Sequence, residues 1–331
     1  MPQIKISEAV RDGKILVSDG AWGTFLQQQG LKPGECPELW CVERPDDVLF
    51  VAQKYVESGA DMIQANSFGG NRYKLEHYGL ADRTTEINKA AAAISRKAAG
   101  DNGWVIASMG PTGKMTVMGD VTEDDLQQAF AEQAAALAEG GTDAVCIETM
   151  SALDEACAAI RGAEQVAPQV EKISTFTFEK TVNGDFRTMM GVSPEQAAEA
   201  AIQAGADIIG SNCGNGFAGM IEITKLLRSV DADIPILIHA NAGLPKNVDG
   251  KDVFPESPQE MADQVEELMA AGANIIGVKR GSGEFILNPS PDVKLSAEDM
   301  LFVLGTKEQI QSLKSTLWGR SFSINLRKEK K

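Results

Sequence analysis

Two stretches of this 331-residue chain begin alike and end differently. Residues 204–217 read AGADIIGSNCGNGF, and residues 271–285 read AGANIIGVKRGSGEF. Each leaves a helix through a glycine and enters a strand, but the first closes on Cys213 and the second on Val278, Lys279 and Arg280. A thiol at the open end of a strand can act, once ionised, as a nucleophile or as a metal ligand. Lysine and arginine in the matching place repel a dication. Cys36 and Cys41 stand in a C-x4-C spacing that a metal tolerates, whereas Cys146, in a strand, and Cys157, on a helix, read as core. Five cysteines, an odd number spread over a long chain, point to reduced thiols and not to a disulfide framework. His77 and His239 each lack a second metal-spaced partner.

Polar residues with chemistry recur at the same kind of position. Short apolar runs end in Asp19–Gly20, Asn66–Ser67, Gly110–Pro111, Glu148–Thr149, Asn212–Cys213 and Asn241 with Gly243. Any one of these has a plain reading, Asp19 as a turn residue beside Gly20 and Glu148 as an acid at a helix start before Ser151. Six together at one mouth suit a binding site more than six separate turns.

The elements that would position them follow from periodicity. Eight β-branched runs occupy 15–22, 61–68, 105–111, 144–150, 172–178, 208–213, 235–243 and 274–279, separated by alanine-rich amphipathic segments. Thr122 with Asp125, Ser193 with Pro194 and Gln196, and Ser257 with Pro258 and Glu260 mark helix starts. Gly59, Gly141, Gly205 and Gly272 recur in GADMI, GTDAV, GADII and GANII, one helix-to-strand turn repeated along the chain. Buried parallel strands alternating with helices, eight times over, predict an α/β TIM barrel, in which the C-terminal ends of the strands share one mouth. No G-x-G-x-x-G follows the first strand, which disfavours a dinucleotide fold.

Composition narrows the function classes. Acidic residues outnumber basic ones 47 to 31, for a net charge of −16, and the basic tail RKEKK is short, so nucleic acid is not an expected partner. The N-terminal residues carry no apolar signal core and no long apolar run occurs, so a soluble, cytoplasmic protein is expected, with no membrane partner.

The strand-end motifs resemble the homocysteine S-methyltransferase family over residues 8–277. The likeness rests on DGAWGT, QANSFGGNRYKLEHYGL, SMGPTGK, IETM, GSNCGNG and NAGLP, and NRYKLEHYGL leans toward the cobalamin-dependent branch. The resemblance implies a zinc-dependent methyltransferase, in which three cysteine thiolates hold zinc and a substrate sulfur takes the fourth position. It makes Cys213 a metal ligand and the catalytic cysteine. It makes Glu148 the carboxylate that receives the substrate ammonium, makes Asp19 and Asn66 further substrate ligands, and brings Asn241 near the metal. The paired cysteines that complete such a site are replaced here by the GVKR string. The resemblance further implies an amino-acid thiol as substrate, methylcobalamin or another methyl donor as co-substrate, and a corrinoid protein as partner. Methyl transfer to or from a thiol or corrinoid, impaired by the missing pair, is therefore expected; the alternative is a non-catalytic or engineered barrel scaffold that keeps a small-molecule pocket.

The last part of the chain follows a different pattern. Residues 276–316, with NPSPD and LFVLG, resemble the end of the ligand-sensing C-terminal domain of regulators of potassium conductance. This implies a composite chain, natural or engineered. A barrel of residues 1–277 would be followed by a ββα segment, 278–331, that replaces the eighth βα unit: the strand fills the eighth place, a helix over 307–318 covers it, and a hairpin lies between. Exposed strand edges there would allow an oligomer.

Overall fold

The computed structural model describes residues 4–243, 246–248, 251–253, 255–270, 276–279, 285–287 and 300–303. The chain divides into two compact units, Met1–Ala271 and Gly272–Lys331.

In the first unit the predicted alternation is present. The second to seventh strands are Met62–Ala65, Trp104–Met109, Ala144–Met150, Glu171–Phe176, Ile208–Asn212 and Ile236–His239, hydrogen-bonded in that order as one sheet. Every neighbouring pair is parallel, as a helix between successive strands requires. The first strand is reduced to a parallel bridge between Ser18 and Met62, which still holds Asp19 at the end of the sheet. Helices Pro45–Glu57, Thr84–Ala99, Glu123–Glu139, Leu153–Val166, Pro194–Ala204, Phe217–Arg228 and Pro258–Ala270 follow the seven strands in turn. The caps read from sequence are made: Thr122 with Asp125 and Ser193 with Gln196 form reciprocal capping boxes, and Ser257 and Glu260 do the same.

Side-chain alternation along the strands separates two apolar layers. Ile63, Ala65, Ala107, Val145, Ile147 and Ile209 pack outward against the helices. Met62, Trp104, Ile106, Ala144, Cys146, Ile173 and Ile208 point inward, with Leu16 and Leu237 against them. The short helix Ile6–Arg11 adds Ile6 and Ala9 to that inner layer. It is held by Glu171, whose carboxylate accepts the N–H groups of Ile6 at 2.6 Å and Ser7 at 3.1 Å. A carboxylate at a helix N-terminus satisfies donors that have no partner within the helix, which favours closure of this end.

The GADMI-type repeat has a structural role that its glycines alone do not explain. Asp61, Asp143 and Asp207 each accept the backbone N–H of a residue in the preceding strand, Val17 at 2.9 Å, Val105 at 2.7 Å and Lys172 at 2.9 Å. Their own N–H groups donate back to the carbonyls of the same three residues, at 2.8, 2.9 and 2.8 Å. One aspartate per repeat thus sets the register between adjacent strands at their N-terminal ends. Gly59, Gly141 and Gly205, with φ of 93°, 95° and 102°, make the turn that delivers it. Gly272 of the fourth copy lies outside the described residues.

The second unit is built differently. Ile276–Lys279 is the middle strand of a three-stranded antiparallel sheet, with Phe285–Leu287 on one edge and Met300–Val303 on the other. The two strands expected to pair as a hairpin each pair instead with 276–279. A sequence separation this short between 276–279 and 285–287 favours their direct antiparallel pairing, and 300–303 pairs along the other edge. The helix expected over 307–318 lies outside the described residues. Among the described residues no helix is long and apolar enough to cross a membrane.

Candidate functional site

At the C-terminal ends of the strands the inward-facing residues change from apolar to polar. One level above Met62, Ile106, Cys146 and Ile173 come Gln64, Ser108, Glu148 and Thr175. Glu148 is 7% exposed, and its carboxylate accepts from the Ser108 hydroxyl and from Gln64 Nε2 at 3.1 Å. Asp19, also 7% exposed, accepts from Trp22 Nε1 at 2.9 Å, from the Gln64 N–H at 2.8 Å and from the Ser18 hydroxyl at 3.2 Å. Gln64 therefore joins the two carboxylates, one through its backbone and the other through its side chain. Among the described residues no cation faces either group across a hydrogen bond.

Burial without a counter-charge raises the affinity of both acids for a proton. Desolvation pushes Asp19 up to about 7, against the three hydrogen bonds that favour its ionised form, and the nearby Glu148 charge adds to the rise. Glu148 is raised by burial too, with Ser108 and Gln64 opposing.

Cys213 lies at the same mouth, solvent-accessible, just after the sixth strand. Enough protein surrounds its sulfur that burial raises the thiol pKa; the Glu148 charge raises it further, while Asn212 and Thr149 lower it. Cys213 and Thr149 have φ of 57° and 62°, the two non-glycine residues with positive φ among the described residues. For a β-branched threonine that backbone is costly, and it persists only where neighbours over-determine it. Asn212 provides that restraint. Its Oδ1 accepts from the Thr149 N–H and the Thr175 hydroxyl, both at 2.8 Å, and its Nδ2 donates to Thr149 Oγ1 at 2.7 Å and to Cys213 Sγ at 3.4 Å. The sulfur is thus fixed by the amide next to it in the chain.

The other residues singled out in the sequence are placed less centrally. Asn66 is buried, and its Nδ2 donates to the Pro37 carbonyl at 2.8 Å and to Cys41 Sγ at 3.5 Å. Asn241 joins the loops of the sixth and seventh strands, its N–H donating to the Asn215 carbonyl at 2.9 Å. Cys36 and Cys41 are buried and protonated: the first donates to Glu38 at 3.3 Å, the second to the Asn66 carbonyl at 3.4 Å. Burial pushes Cys36 up to about 12 and raises Cys41 as well, with the Glu38 charge adding to both. They act as packing and loop anchors. Phe68 lies over Gly110 so closely that a Cβ there would sit 2.6 Å from the ring, so only glycine lets the aromatic line this edge of the mouth.

Gln64, Ser108 and His239 are site residues that sequence reasoning missed. The signal available was period-two alternation, since each stands two residues beyond an inward apolar residue of its strand. His239 follows Leu237 on the inner face and is paired in register with Asn212.

Among the described residues no group of three or more histidine, cysteine, aspartate or glutamate side chains is arranged to hold a metal ion. Of the two positions where the resemblance puts the paired cysteines, Lys279 ends the strand Ile276–Lys279 of the second unit, and Arg280 lies outside the described residues.

A family model described as homocysteine S-methyltransferase matches residues 16–278, and one described as the TrkA-C domain matches residues 263–317. The two overlap over the GANIIG stretch, consistent with a composite chain. Methionine synthase of Mycobacterium leprae (strain TN) is 30% identical over 277 residues, covering 80% of this chain and 23% of that protein. Methionine synthase of Mycobacterium tuberculosis (strain ATCC 25618 / H37Rv) is 31% identical over the same length and shares. The chain therefore spans about a quarter of the length of the curated relatives it matches. Among solved structures, the metallated form of the homocysteine methyltransferase MmuM from Escherichia coli superposes with a TM-score of 0.64 at 20% identity, over 80% of this chain and 91% of that one. The apo form of the same protein gives 0.59. Both share the barrel fold.

Proposed function

Because the chain belongs to the homocysteine S-methyltransferase family, we propose that its barrel binds an amino-acid thiol of the homocysteine type and that methyl transfer to or from that thiol is impaired. The carrying observation is the pair of buried carboxylates, Asp19 and Glu148, linked through Gln64 and lacking a cation among the described residues. The ammonium group of an amino acid provides the missing charge, and binding it to a desolvated acid pair is worth more than the same contact in water. The thiol end of the ligand would then lie toward Cys213, whose sulfur Asn212 already orients.

The family's zinc does not fit the donor set. A structural or catalytic zinc with sulfur ligands needs several thiolates, and this chain supplies Cys213 alone, with Lys279 and Arg280 where the pair belongs. No step of the reaction is therefore assigned to a metal here. Without it a free thiol, protonated for the most part at neutral pH, is a weak acceptor for a methyl group, which is the physical basis of the impairment. In this reading the methyl donor is methylcobalamin on a corrinoid protein or a small methylated compound.

A second reading, a non-catalytic scaffold that keeps the pocket, is favoured by the replacement of the family's last strand with a segment that matches another domain. Two measurements separate the readings. Zinc content by atomic emission, in wild type and Cys213→Ala, is expected well below one ion per chain in both. A homocysteine methylation assay with methylcobalamin then distinguishes slow turnover that Glu148→Gln removes from none at all. Near-stoichiometric zinc lost on Cys213→Ala would overturn the impaired-site reading.

A further inference from the structure

An amino-acid ligand brings a carboxylate as well as an ammonium group, and the mouth as described so far is rich in acceptors and short of donors. Trp22 Nε1 is engaged by Asp19, and Gln64 Nε2 and the Ser108 hydroxyl by Glu148. The Thr175 hydroxyl is engaged by Asn212, whose own Nδ2 serves Thr149 and Cys213. Four buried side-chain polar atoms lack a partner among the described residues: Gln133 Oε1, Ser174 Oγ, Glu256 Oε2 and His239 Nε2. Only the last is a nitrogen. A buried ring nitrogen without a partner costs free energy unless something absent from the free protein satisfies it.

Its position is suited to that role. Ile236, Ile238 and Ala240 pack outward against the helices and Leu237 packs inward, so His239 faces the lumen. It is in register with Asn212, and its carbonyl accepts the Cys213 N–H at 3.2 Å. Its ring thus belongs to the strand next to the one that carries the sulfur. Adjacent strands run about 4.8 Å apart, a separation that a four-carbon amino-acid thiol spans between its sulfur and its carboxylate.

We propose that His239 is the specificity residue that donates a hydrogen bond from Nε2 to the carboxylate of the bound amino-acid thiol, opposite the ammonium held by Asp19 and Glu148. This inference rests on the proposed function, and it adds the residue by which the site tells an α-amino acid from an aminothiol without the carboxylate. A neutral imidazole does this without placing a second cation in the site.

The test is calorimetric titration of the full chain with L-homocysteine and with 3-aminopropane-1-thiol, which keeps the amine and thiol and lacks the carboxylate. Wild type is expected to prefer homocysteine by roughly tenfold to a hundredfold, the range for a hydrogen bond to a charged group. His239→Leu and His239→Phe should abolish the preference while leaving affinity for the aminothiol unchanged, and His239→Gln, which restores an N–H donor, should keep part of it. The phenylalanine variant retains the ring volume, so the result does not hang on one substitution folding. Equal binding of the two ligands by wild type, or a preference that survives both donor-less variants, overturns the role of His239 and leaves the proposed function standing. Binding of neither ligand by wild type overturns both.

Discussion

The two ends of the parallel sheet use the same residue types in opposite ways. At the N-terminal ends, Asp61, Asp143 and Asp207 each grip a neighbouring strand by two backbone hydrogen bonds, and Asp143 and Asp207 also meet Arg96 and Lys172. At the C-terminal ends, among the described residues, Asp19 and Glu148 are buried with neutral donors only, a histidine nitrogen has no partner, and Thr149 and Cys213 hold strained backbones. Among the described residues one end is held by its own contacts, whereas the other leaves a buried ring nitrogen without a partner. The groups that set strand register and the polar groups that face the mouth are thereby separated along the strand direction, the division expected of a barrel.

The largest effect that could break this contrast lies at the satisfied end. Asp143→Ala removes a carboxylate 15% exposed from an arginine 18% exposed, and leaving a largely buried cation without its partner is expected to cost about 3–5 kcal/mol in urea unfolding. Affinity for homocysteine in the fraction that stays folded should not change.

The next effect has the opposite sign. Asp19 is raised from 3.8 to about 7 in the folded chain, so between those values the folded state holds more protons than the unfolded one. Its contribution to stability is complete below pH 4 and is lost as pH rises through 7. Asp19→Asn lacks this loss, so its stability should match wild type near pH 4 and exceed it at pH 8 by on the order of 2–4 kcal/mol. Unfolding midpoints in urea across that range check the crossover.

Glu148→Gln should lower homocysteine affinity by about 1.5–3 kcal/mol in calorimetry without lowering the melting temperature, because it removes a buried charge along with its ligand contact. Smallest is Cys213→Gly. With φ of 57° at this position, glycine should relieve up to about 1 kcal/mol of strain, seen as a slight rise in thermal stability while the site loses its thiol.

Much of this contrast was readable from the chain alone, and what was not has identifiable causes. The seven strands and helices of the first unit follow from apolar periodicity and from caps such as Thr122–Asp125, which act locally. The turns at Gly59, Gly141 and Gly205 were legible because positive φ selects glycine, but the strand-gripping role of their aspartates depends on a neighbour about 30 to 45 residues away. Gln64, Ser108 and His239 were passed over for a related reason. A polar residue inside a strand announces a site only once the inner face is known, and His239 has no sequence-near partner to mark it. In the second unit, the apolar runs at 276–279, 285–287 and 300–303 were visible, but which of them is central depends on link length and free edges, which apolar periodicity does not encode.

Calorimetric titration of L-homocysteine into the full chain after removal of divalent metal by EDTA tests the central claim most directly. The open acid pair should bind the amino acid with one-to-one stoichiometry, and added zinc should leave the affinity within about twofold, a change of less than half a kcal/mol. Binding that is absent from the EDTA-treated chain and appears only on adding zinc would contradict the claim, because it would mean that Cys213 holds the metal despite Lys279 and Arg280.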